Sequence, residues 1–291
     1  MMRSERAAPY LTLALAVLLI SVGSILVRAA RAPALAVAFY RIFLASAFLA
    51  PFAAGAARRS WPRLLPRQRL LLLACGAALA VHFATWIASL SYTSVAASVL
   101  LVNTTPVFTI AFTRVFLREA VAPAAIASTV LALAGAALIA AGDWTGSASS
   151  LTGAVLALVG AVTLSVYHVI GRGLRDALPL SAYILAVWAT AALALAAIAV
   201  AARVPLARQP PRTLAVLAAL ALVPTVGGHG LVNRSLRVLP APTVGLFLIG
   251  EPLCASLLAY AVFGEMPGAL TLRGGALVLG ALALLVWRGS P

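Results

Sequence analysis

Apolar runs of about 20 residues recur from one end of the chain to the other, and the charged positions fall almost wholly between them. About 20 apolar residues are needed for a helix to cross the hydrocarbon of a bilayer, so each run predicts one spanning helix. Ten spans follow, over residues 8–28, 33–55, 69–90, 94–117, 122–142, 150–171, 179–202, 212–231, 241–263 and 268–287. The connections are short. The longest, around Ala56 to Gln68, carries "RRSWPRLLPRQR", whose arginines, tryptophan and prolines suit an interfacial loop. The pattern predicts an all-α membrane protein of ten transmembrane helices.

Composition strengthens this reading. The chain is 64% hydrophobic and 9% charged, where a soluble domain carries about 25% charged residues. Its net charge of +15 comes entirely from arginine, with no lysine present. The arginines are scattered over short loops and form no stripe, which excludes a nucleic-acid footprint. They gather instead in the loops on the side of both termini, and this predicts cytoplasmic termini in a bacterial-type inner membrane. Arg203, Arg208 and Arg212 are the exception, crowding one connection on the other side. The first apolar run has a basic flank like a signal peptide, yet it continues for about 20 residues without a small-residue cleavage site, so a retained span is expected. Cys75 and Cys254 lie inside apolar runs and read as packing residues; no disulfide framework, metal-ligand spacing or cofactor motif is present.

A repeat organises the spans. Pro106 and Glu119 in "LLVNTTPVFTIAFTRVFLRE" match Pro252 and Glu265 in "LFLIGEPLCASLLAYAVFGE", both at an offset of 146 residues. Ser89-Leu90 match Ser235-Leu236 at the same offset, and Ser21, Ser24 and Arg28 match Ser165, His168 and Arg172 at 144. Ala/Leu-rich helices resemble one another by composition, but a shared offset for both proline and glutamate argues for duplication. The expected units are residues 1–145 and 146–291, with five spans each. An odd span number makes the second half enter the membrane from the opposite side, the inverted repeat that recurs in secondary transporters.

Two segments, "SLSYTSVAASVLLVNTTPVFTIAFTRVFLREAVAPAAIASTVLALAGAALI" and "SLRVLPAPTVGLFLIGEPLCASLLAYAVFGEMPGALTLRGGALVLGALALLV", resemble the two EamA domains of the drug/metabolite transporter superfamily. The stretch "HFATWIASLSYTSVAASVLLVNTTP" most resembles amino-acid exporters of the YddG type. This resemblance implies a secondary transporter or facilitator of small metabolites, most of all an amino-acid exporter working by alternating access, with nucleotide-sugar or drug export as the alternative. The partners it implies are a small-molecule substrate and the lipid bilayer.

Polar side chains within spans mark the candidate site, because an unsatisfied polar group is costly in hydrocarbon. His82, Trp86 and Ser89 share one helical face, and Thr225, His229 and Asn233 another. The predicted cavity residues are Ser24, His82, Phe83, Trp86, Asn103, Thr104, Tyr167, His168, His229 and Glu251. Close helix packing also favours serine and threonine, so an isolated one is as readily a packing residue. Pro106 and Pro252 are expected to kink their helices and free the carbonyls of Val102 and Leu248. Arg41 and Glu251 are intramembrane charges; a direct pair between them is one option, snorkelling of Arg41 another. Glu119 and Glu265, at helix ends, read as solvated end-charges or as gate latches, the first being preferred. No nucleophile–base pair, P-loop or HExxH spacing supports an enzyme or an ATP-driven pump. A pore or a scaffold is the remaining rival.

Overall fold

The computed structural model describes residues 2–116, 123–142, 148–174, 177–207, 209–235, 247–248 and 250–288. Glu119 lies outside the described residues, as do Arg237 and the first residues of the predicted ninth span. All regular structure among the described residues is helical. Helix α1 runs Met2–Ala29, α2 Ala34–Ser60, α3 Pro66–Ser89, α4 Val95–Val102, α5 Thr105–Phe116 and α6 Pro123–Gly142. In the second half α7 spans Ala148–Arg172, α8 Leu180–Ala201, α9 Pro211–Leu220, α10 His229–Ser235, α11 Glu251–Phe263 and α12 Ala269–Arg288. A π-helical segment, Ala221–Gly228, joins α9 to α10.

Seven described helices are long and apolar enough to cross a membrane, and three shorter apolar ones accompany them. Their outward surfaces are apolar as well. Phe52 is 84% exposed and Leu193 73%, and Leu11 and Leu257 are nearly as open. Such surfaces suit lipid rather than water. Lipid tails are as apolar as leucine, so burial of leucine cannot itself hold these helices together; close packing and interhelical hydrogen bonds must do so.

The contacts between helices have an internal order. Helix α3 packs on α7, and α1 packs on the π segment and α10; α5 packs on α7, and α1 on α11. Exchanging the two halves turns each of these contacts into its partner. The pairs α2–α8 and α6–α12 map onto themselves. Helices α6 and α12 meet through glycines. A Cβ on Gly135 would lie 2.6 Å from the Gly274 carbonyl, and one on Gly274 would lie 2.5 Å from the Gly135 carbonyl. Neither position tolerates a side chain without moving backbone.

Two sequence expectations need correction. The predicted fourth span is broken, not bent: α4 ends at Val102, and α5 begins at Thr105 after a turn at Asn103 and Thr104. Pro106 therefore sits in the first turn of a new helix, where its missing N–H is needed least. Pro252 holds the same place in α11, one residue after Glu251 and two after the Gly250 N-cap. The prolines start half-helices; they do not kink whole ones. The eighth span departs differently, with Pro224, Gly227 and Gly228 lying within a π segment of eight residues. Proline offers no N–H to the regular ladder, and glycine is a poor helix former, so the wider turn forms here.

The α6–α12 contact gives a direct test. Replacing Gly274 by leucine is expected to destabilise the folded chain by about 1–3 kcal/mol or more, as overpacking does. Replacing Gly280, whose Cβ would meet nothing within 4 Å, should leave the midpoint nearly unchanged in the same denaturant titration of purified protein in detergent.

Candidate functional site

The two helix breaks organise the centre of the molecule, and the polar residues around them satisfy opened backbone. At the first break Thr105 Oγ1 donates to Val102 O at 2.7 Å, so the carbonyl left free by Pro106 regains a partner. Thr104 Oγ1 donates to Leu101 O at 2.7 Å, and Asn103 Nδ2 donates to Val99 O at 2.9 Å. The main chain tightens at both breaks through matching bonds: Thr104 N–H to Leu101 O at 3.1 Å, and Gly250 N–H to Phe247 O at 2.9 Å. Thr104, expected to line the cavity, is fully buried with its hydroxyl committed to its own helix. Its role is in closing the break.

Each break is also clamped by a serine from the other half. Ser165 Oγ on α7 donates to Thr105 O at 2.8 Å and contacts Ala161 O at 2.9 Å. Ser21 Oγ on α1 lies 3.3 Å from Glu251 O and 2.8 Å from Val17 O. Ser21 and Ser165 correspond in the repeat, and so do Thr105 and Glu251. The same contact is therefore made twice, by equivalent atoms. Ser24, another predicted cavity residue, is buried and directs its hydroxyl at Ser21 O at 3.4 Å.

Beside the breaks lies a cluster of rings and charges. Arg41, from the interior of α2, is only 3% exposed. Its guanidinium lies over the Phe83 ring at 4.6 Å and the Trp86 ring at 5.4 Å. Its Nε donates to Thr225 Oγ1 at 2.9 Å, and that hydroxyl lies 3.0 Å from Leu220 O, five residues back along the π segment. The π turn thus brings Thr225 to the arginine. Arg41 is buried and stacked, so the snorkelling option fails.

His82 stacks parallel to Trp86, with ring centres 6.0 Å apart and planes 4° from parallel, and meets Phe83 edge-on. Its Nδ1 lies 2.9 Å from Gly160 O. A carbonyl only accepts, so Nδ1 carries the proton and Nε2 is the free nitrogen in the neutral ring. The Tyr167 and His168 rings are 5.3 Å apart. His168 and His229 are both exposed, yet each lies within electrostatic reach of His82, and His229 within reach of Arg41. Glu251 is half-buried, hydrogen-bonded through its side chain to Asn103, and within electrostatic reach of Arg41. It makes no ion pair with Arg41: the guanidinium Nη1 has no hydrogen-bond partner, and neither has Trp86 Nε1. The direct Arg41–Glu251 pair is thus replaced by two separated charges.

A second cluster occupies one end of the bundle. Arg28, at the end of α1, forms an ion pair with Glu265. The same guanidinium donates from Nε to Leu90 O at 3.1 Å and from Nη2 to Thr93 O at 2.6 Å. Glu265 Oε2 accepts the Val95 N–H at 3.0 Å, at the start of α4. Gly264, with φ of 71°, ends α11 in a left-handed cap and turns the chain so that Glu265 reaches Arg28. Phe263 lies under the guanidinium at 5.8 Å. A cavity of about 550 Å³ adjoins this clasp, lined by Arg28, Arg31, Ile87, Leu90 and Phe263 among others. Glu265 is therefore a latch between helices and not the solvated end-charge preferred from sequence. The repeat offset marked Glu265, but nothing in the spacing named Arg28 as its partner.

The EamA-like transporter family model matches residues 7–141 and again residues 151–287. A solved structure titled "Crystal structure of protein" superposes with a TM-score of 0.66 at 19% identity, covering 98% of this chain and 99% of that one. At that identity the likeness concerns the fold. No curated protein matches the chain significantly.

Because the serine clamps are equivalent, their removal should cost alike. Ser21→Ala and Ser165→Ala are each expected to lower stability by about 1 kcal/mol, the usual net value of one hydrogen bond. A titration with SDS reads both; costs differing by several-fold would show that the clamps are not equivalent.

Proposed function

Because the chain belongs to the EamA-like transporter family, we propose that it exports amino acids across the bacterial-type inner membrane by alternating access. That a membrane transporter moves a small-molecule substrate through a bilayer follows from the family alone; substrate, direction and mechanism are the reading proposed here. The observation that carries it is the separation of Arg41 and Glu251, opposite charges that form no ion pair, with Arg41 on the Phe83 and Trp86 rings and Glu251 at the second helix break. A small zwitterion with an apolar side chain matches such a site in charge and in surface.

In this reading ten spans form two inverted units, residues 1–145 and 146–291, with both termini in the cytoplasm. The site residues are His82, Phe83, Trp86, Asn103, Tyr167, His168, His229 and Glu251, joined by Arg41 and Thr225. His168 and His229 are exposed and lie within electrostatic reach of the buried His82, which supports an open space between the halves. With cytoplasmic termini, the Arg28–Glu265 clasp lies at the external entrance and holds it shut. Opening then requires the clasp to part, while Glu251 and Arg41 keep the substrate in register.

Counterflow into liposomes containing the purified chain tests the reading. Saturable, selective exchange of preloaded L-amino acids is expected; saturable exchange of nucleotide sugars with none of amino acids overturns it, as does unselective leakage. The clasp has its own measurement. With Cys75 and Cys254 replaced by alanine, Ser24→Cys should react with an impermeant maleimide roughly fivefold faster once Glu265→Gln is added, the shift expected for about 1 kcal/mol of ion pair.

A further inference from the structure

Arg41 poses a problem that no contact within the chain solves. A buried guanidinium carries five N–H donors and cannot give up its charge in the range where proteins work. One donor is met by Thr225 at 2.9 Å, and the aromatic faces of Phe83 and Trp86 offset part of the charge. Nη1, however, is buried and without an acceptor. It lies 4.0 Å from where a Cβ on Gly23 would stand, so α1 passes beside the guanidinium and offers it no side-chain acceptor at that position. Next to it the indole N–H of Trp86, itself only 7% exposed, also lacks an acceptor. Leaving two donors unmet, one of them cationic, is costly in a low-dielectric interior.

Both orphans are donors, they belong to residues stacked on each other, and the nearest acid does not close on them. Glu251 is held by Asn103 instead. An arrangement of donors alone calls for an acceptor from elsewhere, and a planar anion with two oxygens meets a guanidinium and a neighbouring N–H best. We propose that Arg41 Nη1 and Trp86 Nε1 bind the α-carboxylate of the transported amino acid, with Glu251 facing its α-ammonium group. This rests on the amino-acid reading above and assigns the atoms that recognise the substrate. The π segment then has a purpose: it positions Thr225 to fix Arg41 through Nε while Nη1 stays available to the substrate. His82 supports the assignment from behind, since its stacking on Trp86 and its bond to Gly160 O fix the plane of the indole.

The experiment compares three ligands of one side chain: L-leucine, its methyl ester, and isoamylamine, which lacks the carboxylate altogether. Counterflow of labelled L-leucine into proteoliposomes is measured for the wild type, Arg41→Gln, Arg41→Lys and Trp86→Phe, with the ester and the amine as competitors. The wild type is expected to prefer leucine to either analogue by about 10- to 100-fold, the factor a charge-assisted hydrogen bond supplies. Arg41→Gln should erase that preference, raising the half-saturating concentration of leucine while leaving competition by the amine unchanged. Trp86→Phe keeps the ring and should lose part of the preference, and Arg41→Lys should restore part of what glutamine removes. A variant that is misfolded loses transport of all ligands and moves no ratio, so the ratio separates recognition from structure. Wild-type exchange of leucine with an unaltered leucine-to-amine ratio in both Arg41→Gln and Trp86→Phe overturns the assignment. Absence of leucine exchange in the wild type overturns the amino-acid reading itself.

Discussion

Everything near the centre of this molecule depends on one requirement: a broken helix inside hydrocarbon must return every freed backbone group to a partner. Lipid tails cannot do it. The chain meets the demand with short polar side chains placed within one or two residues of the break, as Thr105 does for Val102 O. It then adds a serine from the opposite half, Ser165 or Ser21, whose hydroxyl ties the break to a neighbouring helix. Those residues tie each break into its surroundings. Because the half-helix beginning at Glu251 carries that side chain in its first turn, the break also places a carboxyl group beside Asn103.

The charges of the described interior are disposed in two ways. At the end of the bundle Arg28 and Glu265 close on each other, and the guanidinium's remaining donors go to Leu90 and Thr93 carbonyls. At the centre Arg41 and Glu251 stay apart, each held by a neutral partner, Thr225 and Asn103. The first arrangement is closed on itself; the second leaves Arg41 Nη1 without a partner.

Much of this was legible in the residues. Hydropathy gave an all-helical membrane fold, because a bilayer permits few alternatives, and the offset of 146 residues exposed the duplication. The same offset pointed at Pro106, Pro252 and Glu265. What spacing could not convey was which of two responses a proline provokes. A kink and a fresh start read alike in sequence, and here the neighbouring threonines and Gly250 favoured the fresh start. The polarity of Thr104 was visible in the sequence, and the Leu101 carbonyl that its hydroxyl serves was not. Arg41 was visible as a buried charge, but its stacking on Phe83 and Trp86 and its bond to Thr225 join three different helices, and periodicity describes only one helix at a time. The π segment left a trace in Pro224, Gly227 and Gly228, though glycine and proline in a span have several outcomes.

The equivalence of the serine clamps has a consequence for energetics. If one conformation of the chain is turned into the other by exchanging the roles of its halves, the inventory of hydrogen bonds at the breaks is conserved. The two states then differ little in free energy, and neither acts as a deep trap. A ligand shifts such an equilibrium only by its differential affinity for the two states, and a gap of about 1.4 kcal/mol already moves the ratio tenfold. Under the alternating access proposed above, duplication would then supply two nearly degenerate shapes from a single design, and modest binding energy would suffice to choose between them.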